Sequence, residues 1–246
     1  MIVPLVVLCA AVVMIACETA SPGRSWPQVA SWWTRAFTLN AAPVATVYLA
    51  GVAWDGWMIR RRPWSADALG AVGGALVGYL IITFIYYWWH RWRHEVGFLW
   101  RWLHQVHHSP QRIEVITSFY KHPFELVTNA LLSSAIVYFL VGLGPAAGSY
   151  AVMLTGLAEL FYHWNVRTPH WFGYVVQRPE SHCIHHQEGV HYYNYADLPL
   201  WDMLFGTFRN PRRWQARCGF GPGEHRLLDM LRGIEVAPPE AGAVAP

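Results

Sequence analysis

Eight of the thirteen histidines in this chain lie in three short clusters, which read HRWRH, HQVHH and HCIHH. Their members are His90, His94, His104, His107, His108, His182, His185 and His186. The second and third clusters repeat the spacing H-x-x-H-H, and positions i, i+3 and i+4 lie on one face of a helix, so each repeat is expected to direct three imidazoles at one point. Imidazole binds zinc, copper, iron and nickel, and eight converging imidazoles exceed the four ligands of a tetrahedral site. The spacing therefore predicts a centre for two metal ions.

A polar helix face at a membrane surface is the alternative explanation for such a cluster. That explanation suits a single histidine, which is more often a polar surface residue than a ligand. Three clusters that share ligand spacing favour the metal centre.

The composition is that of a membrane protein, with 54% apolar and 13% charged residues, whereas soluble domains carry about 25% charged residues. A helix needs about 17–25 apolar residues to cross the hydrocarbon, and five stretches meet this need: 1–17, 40–58, 67–89, 125–142 and 145–162. The third ends in Tyr86-Tyr87-Trp88-Trp89, an aromatic belt typical of the membrane–water boundary, which places His90 just outside the hydrocarbon. We therefore predict an all-α integral membrane bundle of about four to five apolar spans.

The positive residues predict which side of the membrane carries the histidines. If all five stretches cross, the clusters share a side with the twelve arginines from Arg91 onward and with Lys121, and the positive-inside rule assigns that side to the cytoplasm. If all five stretches cross, Arg60, Arg61 and Arg62 lie on the other side of the membrane, against the positive-inside rule. Either the span at 40–58 is re-entrant or the three arginines are tolerated on that side. The prediction is a histidine-rich cytoplasmic helical cap on a multi-pass protein. A net charge of +3 and a pI of about 8.7 give no indication of nucleic-acid binding.

The first two clusters cannot share a metal site on one straight helix. His90 and His104 are fourteen residues apart, which is about 21 Å along a helix, whereas bridged metal ions lie only about 3.5–4 Å apart. The chain must fold back between them, and Gly97 is the obvious break. We predict separate helices over 67–95 and 98–108.

The apolar stretches 125–142 and 145–162 are separated only by Leu143 and Gly144. So short a connection predicts a tight helical hairpin. The hairpin carries the chain away from the clusters and returns it, so that His163 reaches their side of the membrane.

The cysteines predict no disulfide framework, because the four of them show no paired spacing. A reducing compartment fits this pattern. Cys183 lies within the third cluster, but the second cluster has Gln105 at the equivalent position, so Cys183 is expected to pack as a small apolar residue and not to bind metal.

Several further motifs accompany the clusters: Lys121-His122-Pro123-Phe124-Glu125, His163-Trp164-Asn165, and a stretch from Asn194-Tyr195 to Trp201-Asp202-Met203-Leu204-Phe205-Gly206-Thr207. Together with the clusters they resemble the fatty acid hydroxylase and sterol desaturase superfamily. The resemblance covers roughly residues 80–210, and the clusters match in order and spacing. One departure is Ala196, where many members have glycine, and the first eighty residues match only in being apolar.

The resemblance implies a membrane-bound, non-haem di-iron oxidoreductase that uses O₂ and two electrons to hydroxylate or desaturate a sterol-like or fatty acyl lipid. Hydroxylation and desaturation both stay open. The implied ligands of two iron ions are the eight cluster histidines and His163, with His122 and His191 as further candidates. His122 has a structural alternative, because Pro123 marks a helix start. Zinc is expected as a mismetallated form.

The electrons are expected from a partner, because no haem, flavin or nucleotide motif is visible in the sequence. The partner classes are a ferredoxin, a cytochrome b5-like protein or a reductase. Along the chain we expect three regions: a membrane anchor at 1–66, a catalytic domain at 67–217 that resembles the superfamily, and a C-terminal tail at 218–246 that is partly disordered.

Three polar residues outside the clusters are candidates for orienting the ligands. Glu159 precedes His163 by one helical turn, so its carboxylate is expected to accept the free imidazole N–H, unless the helix ends early and Glu159 is solvated. Asn165 and Asp202 are expected either to bond ligand imidazoles or to cap helices.

Two other functions compete with the oxidoreductase. A zinc-dependent membrane hydrolase is one, although the HExxH helix of many zinc hydrolases is absent from the sequence. A histidine-rich metal-binding or transport protein is the other, although carriers place their metal ligands at the membrane midplane and these clusters lie beyond the span ends.

Overall fold

A computed structural model describes residues 2–190 and 192–237. The described residues form helices and no β-strand, which confirms the predicted all-α class. The α-helices are α1 (Ile2–Ala20), α2 (Trp32–Ala50), α3 (Gly56–Arg60), α4 (Gly70–Glu95), α5 (Gly97–Leu99), α6 (Gln105–His108), α7 (Pro123–Ser134), α8 (Pro145–His163), α9 (Pro179–His185), α10 (Pro199–Leu204) and α11 (Leu227–Leu231). π-helical segments cover Gly51–Asp55, Trp100–His104 and Ala135–Leu140, and short 3₁₀ turns cover Asp67–Leu69, Val115–Thr117, His170–Tyr174 and Gly221–His225.

Three helices in the described part of the chain are long and apolar enough to cross a membrane: Val3–Ala20, Asp67–Glu95 and Pro123–Leu140. They correspond to the predicted spans at 1–17, 67–89 and 125–142. The other two predicted spans, at 40–58 and 145–162, are helical but fall short of this standard of length and apolar composition. α8 carries Glu159 among its apolar residues, and α2 begins early enough to include Arg35 and Asn40.

The predicted break between the first two clusters is confirmed. α4 ends at Glu95, and Val96 has the extended dihedral angles φ −103° and ψ 107° before a new helix begins at Gly97. The break therefore lies one residue before the predicted glycine. It folds the chain back so that the imidazole rings of His90 and His104 have centroids 4.7 Å apart.

α4 and α8 pack closely because small residues face each other along both helices. A Cβ atom on Gly74 would lie 2.9 Å from the Cβ of Ala147, and one on Gly78 would lie 3.0 Å from the Cβ of Ala151. Small residues at four-residue spacing let two helix backbones approach in a membrane. This packing sets the position of His163, the last residue of α8, against the end of α4.

We expect Gly78→Val to lower the free energy of unfolding by about 1–3 kcal/mol, because the added methyl groups overpack the contact with α8. Reversible unfolding in mixed micelles measures the change. Gly73→Val is the matched control on the same helix, because a Cβ atom at Gly73 meets nothing nearer than Leu69 at 3.9 Å. Equal stability of the two variants would contradict the close approach.

The predicted helical hairpin is confirmed, and its turn depends on Gly142. This glycine has φ +75°, and a Cβ atom there would lie 2.4 Å from the indole of Trp64. Both the backbone conformation and the available space therefore require glycine. Leu143 follows it and is fully buried, and Pro145 begins α8.

The segment that follows residue 217 packs into the protein, although it was predicted to be a tail. Cys218, Phe220 and Met230 are buried, and Phe220 and Met230 join a core cluster with Trp100. The backbone N–H of Gly219 donates to the carbonyl oxygen of His186 at 3.1 Å. The apolar side chains of this segment thus pack next to the first two histidine clusters through Trp100, and the predicted tail from residue 238 onward lies outside the described residues.

Candidate metal centre

The structure brings nine histidines together in two adjacent groups. Within each group, one ring nitrogen of each residue lies within 4.8 Å of a ring nitrogen of every other member. The α4 group consists of His90, His94, His104, His108 and His185. The α8 group consists of His107, His163, His182 and His186.

The two H-x-x-H-H repeats are divided between these groups. The first repeat gives its outer histidines to the α4 group and its middle residue, His107, to the α8 group. The second repeat does the reverse, with His185 crossing to the α4 group. The expectation that each repeat directs three imidazoles at one point was therefore wrong. Positions i+3 and i+4 differ by about 100° around a helix, so their side chains diverge.

The Nε2 atoms are the ring nitrogens that converge. Close Nε2 pairs are His90 with His104 at 2.9 Å, His104 with His108 at 3.2 Å, His163 with His182 at 3.2 Å, and His182 with His186 at 3.0 Å. Such a set of buried nitrogens is the chemistry of a metal-binding cage.

In four of the nine histidines the opposite ring nitrogen, Nδ1, points outward to an oxygen atom. The Nδ1–H groups donate from His90 to the carbonyl of Tyr195 at 2.7 Å, from His185 to the carbonyl of Tyr193 at 2.9 Å, from His163 to the carbonyl of Glu159 at 2.9 Å, and from His104 to the carboxylate of Glu125 at 3.1 Å. An outward Nδ1–H fixes the tautomer that leaves the lone pair on Nε2. The residues present therefore fit metal ions in both groups.

Burial keeps the imidazoles neutral. Seven of the nine histidines are buried, whereas His90 and His94 are half-buried. Burial, with neighbouring positive charges as a smaller cause, holds the pKa of His104, His107, His108 and His182 well below its ordinary range. Neutral imidazole is the form that binds a metal.

Glu125 is the carboxylate that contacts the α4 group, and the sequence analysis did not assign it this role. It is fully buried, forms an ion pair with Arg93, and accepts the hydrogen bond from His104. The sequence signal for it is a charged residue in the first turn of an apolar helix, where an unpaired charge is costly.

Glu159 holds His163, but not in the predicted way. Its main-chain carbonyl accepts the Nδ1–H of His163, while its carboxylate forms an ion pair with Lys121. The expected hydrogen bond from His163 to the carboxylate of Glu159 does not form, because the buried ammonium of Lys121 pairs with that carboxylate.

Asn165 bonds no imidazole and instead ties the N-terminal segment to the end of α8. Its side-chain amide exchanges two hydrogen bonds with the backbone of Arg24, at 3.1 and 2.9 Å. Its backbone N–H donates to the carboxylate of Glu18 at 2.9 Å. Asn165 thus stabilises the approach of α1 to the centre.

Asp202 acts on an imidazole through the backbone. Its carboxylate accepts hydrogen bonds from the N–H groups of Tyr195 and Ala196 and from the hydroxyl of Thr207, at 2.7–3.0 Å. Burial raises the pKa of Asp202 to about 6, while the three hydrogen bonds favour the carboxylate form. These bonds hold the loop whose Tyr195 carbonyl orients His90.

We expect Asp202→Asn to cost about 1–3 kcal/mol of stability, because an amide N–H then faces a buried backbone donor. The same change lowers metal affinity by loosening the loop that orients His90. Unfolding and metal titration measure the two effects. Asp229→Asn, at an exposed ion pair with Arg226, is the control and is expected to change neither quantity. A wild-type metal affinity in Asp202→Asn would contradict the proposed path to His90.

The remaining histidines that the structure describes lie outside both groups. His122 accepts a hydrogen bond at Nδ1 from the N–H of Phe124 at 3.1 Å, and its Nε2 lies 3.3 Å from the carbonyl of Leu231. It therefore caps the start of α7, the structural role predicted from Pro123. His191, the other further candidate, lies outside the described residues. Cys183 is buried beside Cys218 and is not among the residues of either group.

Comparison with known proteins identifies the region that contains the clusters. The model of the family described as fatty acid hydroxylase matches residues 75–207. The chain is 27% identical to human alkylglycerol monooxygenase over 159 residues, which cover 63% of this chain and 34% of that protein. No solved structure matches this chain.

Two further relatives have similar identity. A very-long-chain aldehyde decarbonylase of rice is 28% identical over 136 residues, covering 54% of this chain and 53% of that protein. Sphingolipid C4-hydroxylase of Schizosaccharomyces pombe is 25% identical over 138 residues, covering 54% and 47%. The chain thus spans about a third to a half of the length of the curated relatives it matches. Because the family model covers more than half of the chain and includes eight cluster histidines and His163, this chain belongs to the fatty acid hydroxylase family.

Proposed function

We propose that this protein is a membrane-bound, non-haem di-iron enzyme that uses O₂ and two electrons to hydroxylate or desaturate a lipid. One observation carries the proposal: nine histidines form two adjacent groups, and in six of them the Nε2 atoms lie close to one another. Imidazole binds iron as well as zinc, copper and nickel, and the match to the fatty acid hydroxylase family favours iron among these metals.

The net reaction sets what the protein must provide. Hydroxylation converts a C–H bond, O₂, two electrons and two protons into an alcohol and one water. Desaturation consumes the same O₂, electrons and protons and yields an alkene and two waters. Bound iron would supply the O₂ chemistry that removes hydrogen from an unactivated C–H bond.

The chain's own residues orient the ligands and exclude water. The carbonyls of Tyr193, Tyr195 and Glu159 fix three imidazoles, and the buried Glu125 fixes a fourth. A cage held in this way binds metal in a defined geometry. The seven buried histidines close the centre on most sides.

The half-buried pair His90 and His94 is the side from which a substrate reaches the centre. Both lie at the end of α4, one of the three helices that are able to span a membrane. A lipid that remains in the bilayer therefore reaches this edge without crossing water. The matched relatives act on an alkylglycerol, a very-long-chain aldehyde and a sphingolipid by name, and we extend the lipid class alone to this chain.

The centre is proposed to face the cytoplasm, because the arginines from Arg91 onward and Lys121 accompany it. An electron donor such as a ferredoxin, a cytochrome b5-like protein or a reductase would then reach it from that side.

Metal analysis of anaerobically purified protein tests the proposal. We expect two iron ions per chain, and lipid extracts of expressing cells should contain a species that has gained one oxygen atom or lost two hydrogens. Mass spectrometry of lipids with and without the gene detects that species. Zinc as the sole metal, together with hydrolytic turnover and no oxidation after iron reconstitution, would overturn it.

A further inference from the structure

An exposed arginine cluster lies on the segment 209–217, close to the metal centre. The segment contains Arg209, Arg212, Arg213 and Arg217 and no acidic residue. All four side chains are exposed. In the part of the chain that the structure describes, none of them forms an ion pair with a carboxylate, although eight other arginines do. We call these four residues the arginine surface.

The arginine surface contacts the α4 group through a single residue. The guanidinium of Arg209 lies over the ring of Tyr193, 4.3 Å from its centroid. The carbonyl oxygen of Tyr193 accepts the Nδ1–H of His185 at 2.9 Å. One aromatic residue therefore separates an exposed positive charge from an imidazole of the α4 group.

A second path leads from the same arginine to the α8 group. The backbone N–H of Arg209 donates to the side-chain oxygen of Asn194 at 2.8 Å. The carbonyl of Asn194 accepts from Gln177 Nε2 at 2.7 Å, and that nitrogen lies 3.2 Å from Nδ1 of His182. Arg209 is thus connected to both groups of histidines through a few hydrogen bonds and one ring contact.

The backbone at this position is unusual. Tyr193 and Asn194 have φ angles of +73° and +55°, a region that residues other than glycine rarely adopt. The two consecutive left-handed residues turn their carbonyls toward His185 and Gln177, respectively. Strained backbone of this kind persists where the surroundings impose it and is common at functional sites.

From these contacts we infer that the arginine surface docks a one-electron donor protein with an acidic surface. The inference rests on the proposed function, since that reaction consumes two electrons. Two successive dockings supply them, each oxidising one donor molecule by one electron. Unpaired positive charges attract and orient an acidic partner, and the two paths place the docked donor beside both groups of histidines.

Anaerobic stopped-flow reduction tests the docking. The protein is placed in nanodiscs of phosphatidylcholine, which carries no net charge, and is mixed with a reduced, acidic plant-type [2Fe–2S] ferredoxin. We expect the double variant Arg212→Glu/Arg213→Glu to lower the second-order rate by about tenfold or more at low ionic strength, and to weaken its dependence on salt. Photoreduction by deazaflavin, which needs no docking, should proceed in the variant as in the wild type.

Arg61→Glu is the matched control. Arg61 is exposed, forms no ion pair among the described residues, and lies over Trp57 at 5.2 Å, as Arg209 lies over Tyr193. It precedes α4, whereas the histidines lie at the other end of that helix. We expect the wild-type rate with ferredoxin in this variant.

Three results would overturn the docking. The first is an unchanged rate of reduction by ferredoxin in the double variant. The second is an equal loss of the reduction rate with ferredoxin and with deazaflavin. The third is a loss seen only in nanodiscs that contain anionic lipid, because this result would assign the arginines to phosphate headgroups. Failure of the proposed function is distinct from these, because wild-type protein would then take up no electrons from deazaflavin either.

Discussion

His107→Ala and His108→Ala are each expected to abolish lipid oxidation, although the two adjacent residues belong to different groups. His107 belongs to the α8 group and His108 to the α4 group. If each group holds one iron ion, each variant weakens a different ion, and loss of either stops a reaction that needs both. Iron analysis and product formation, measured on the same preparations, are expected to show about half of the wild-type iron and no product. His185→Ala should behave as His108→Ala does, because it removes a ligand of the same group.

The control for this series is His225→Ala. His225 is exposed and lies 3.4 Å from Arg35, outside both groups. Membrane insertion, iron content and oxidation should all be unchanged in this variant. Retained oxidation in both His107→Ala and His108→Ala would remove the two residues from the reacting centre.

Glu125→Ala is expected to lower the free energy of unfolding by about 3–5 kcal/mol, because it leaves the buried guanidinium of Arg93 without its carboxylate. It also removes the acceptor of the His104 N–H, and loss of such an acceptor typically lowers metal affinity about 10–100-fold. Reversible unfolding in mixed micelles measures the first effect, and competition with a chelator measures the second.

Glu235→Ala provides the comparison for Glu125→Ala. Glu235 forms an ion pair with Arg101 at 3.6 Å, and both side chains are about half exposed. Exposed pairs contribute about 0–1 kcal/mol, so this variant should keep wild-type stability and metal affinity. If Glu125→Ala were as stable as Glu235→Ala, the buried pair would have no structural role.

Much of the helical framework was predictable because it follows from chain geometry. A straight helix cannot bring His90 to His104, so a break near Gly97 was required, and the two-residue connection before Pro145 allowed only a tight turn. The number of spans was harder to predict. α8 packs along α4, and polar residues such as Glu159 lower its mean apolar character below that of a typical span.

The details of the site depend on atoms that leave no trace in the sequence. Main-chain carbonyls of Tyr193, Tyr195 and Glu159 orient three imidazoles, and any residue type offers a carbonyl. From the sequence, the carboxylate of Glu159 was therefore expected to hold His163, whereas the main-chain carbonyl of Glu159 holds it. Similarly, the packing of 218–237 against the clusters follows from long-range contacts that local composition does not encode.

The division of the two H-x-x-H-H repeats has a consequence for biosynthesis. A chain that ended before α9 would lack His185, His182 and His186, and so neither group would be complete. Stable metal capture therefore has to wait until the ribosome has released the second repeat, and no prematurely terminated product could hold either ion in its full cage. Once captured, each ion would join segments about eighty residues apart in the chain. Binding of iron and the final folding of the histidine-containing helices would then occur together, as one late step in maturation.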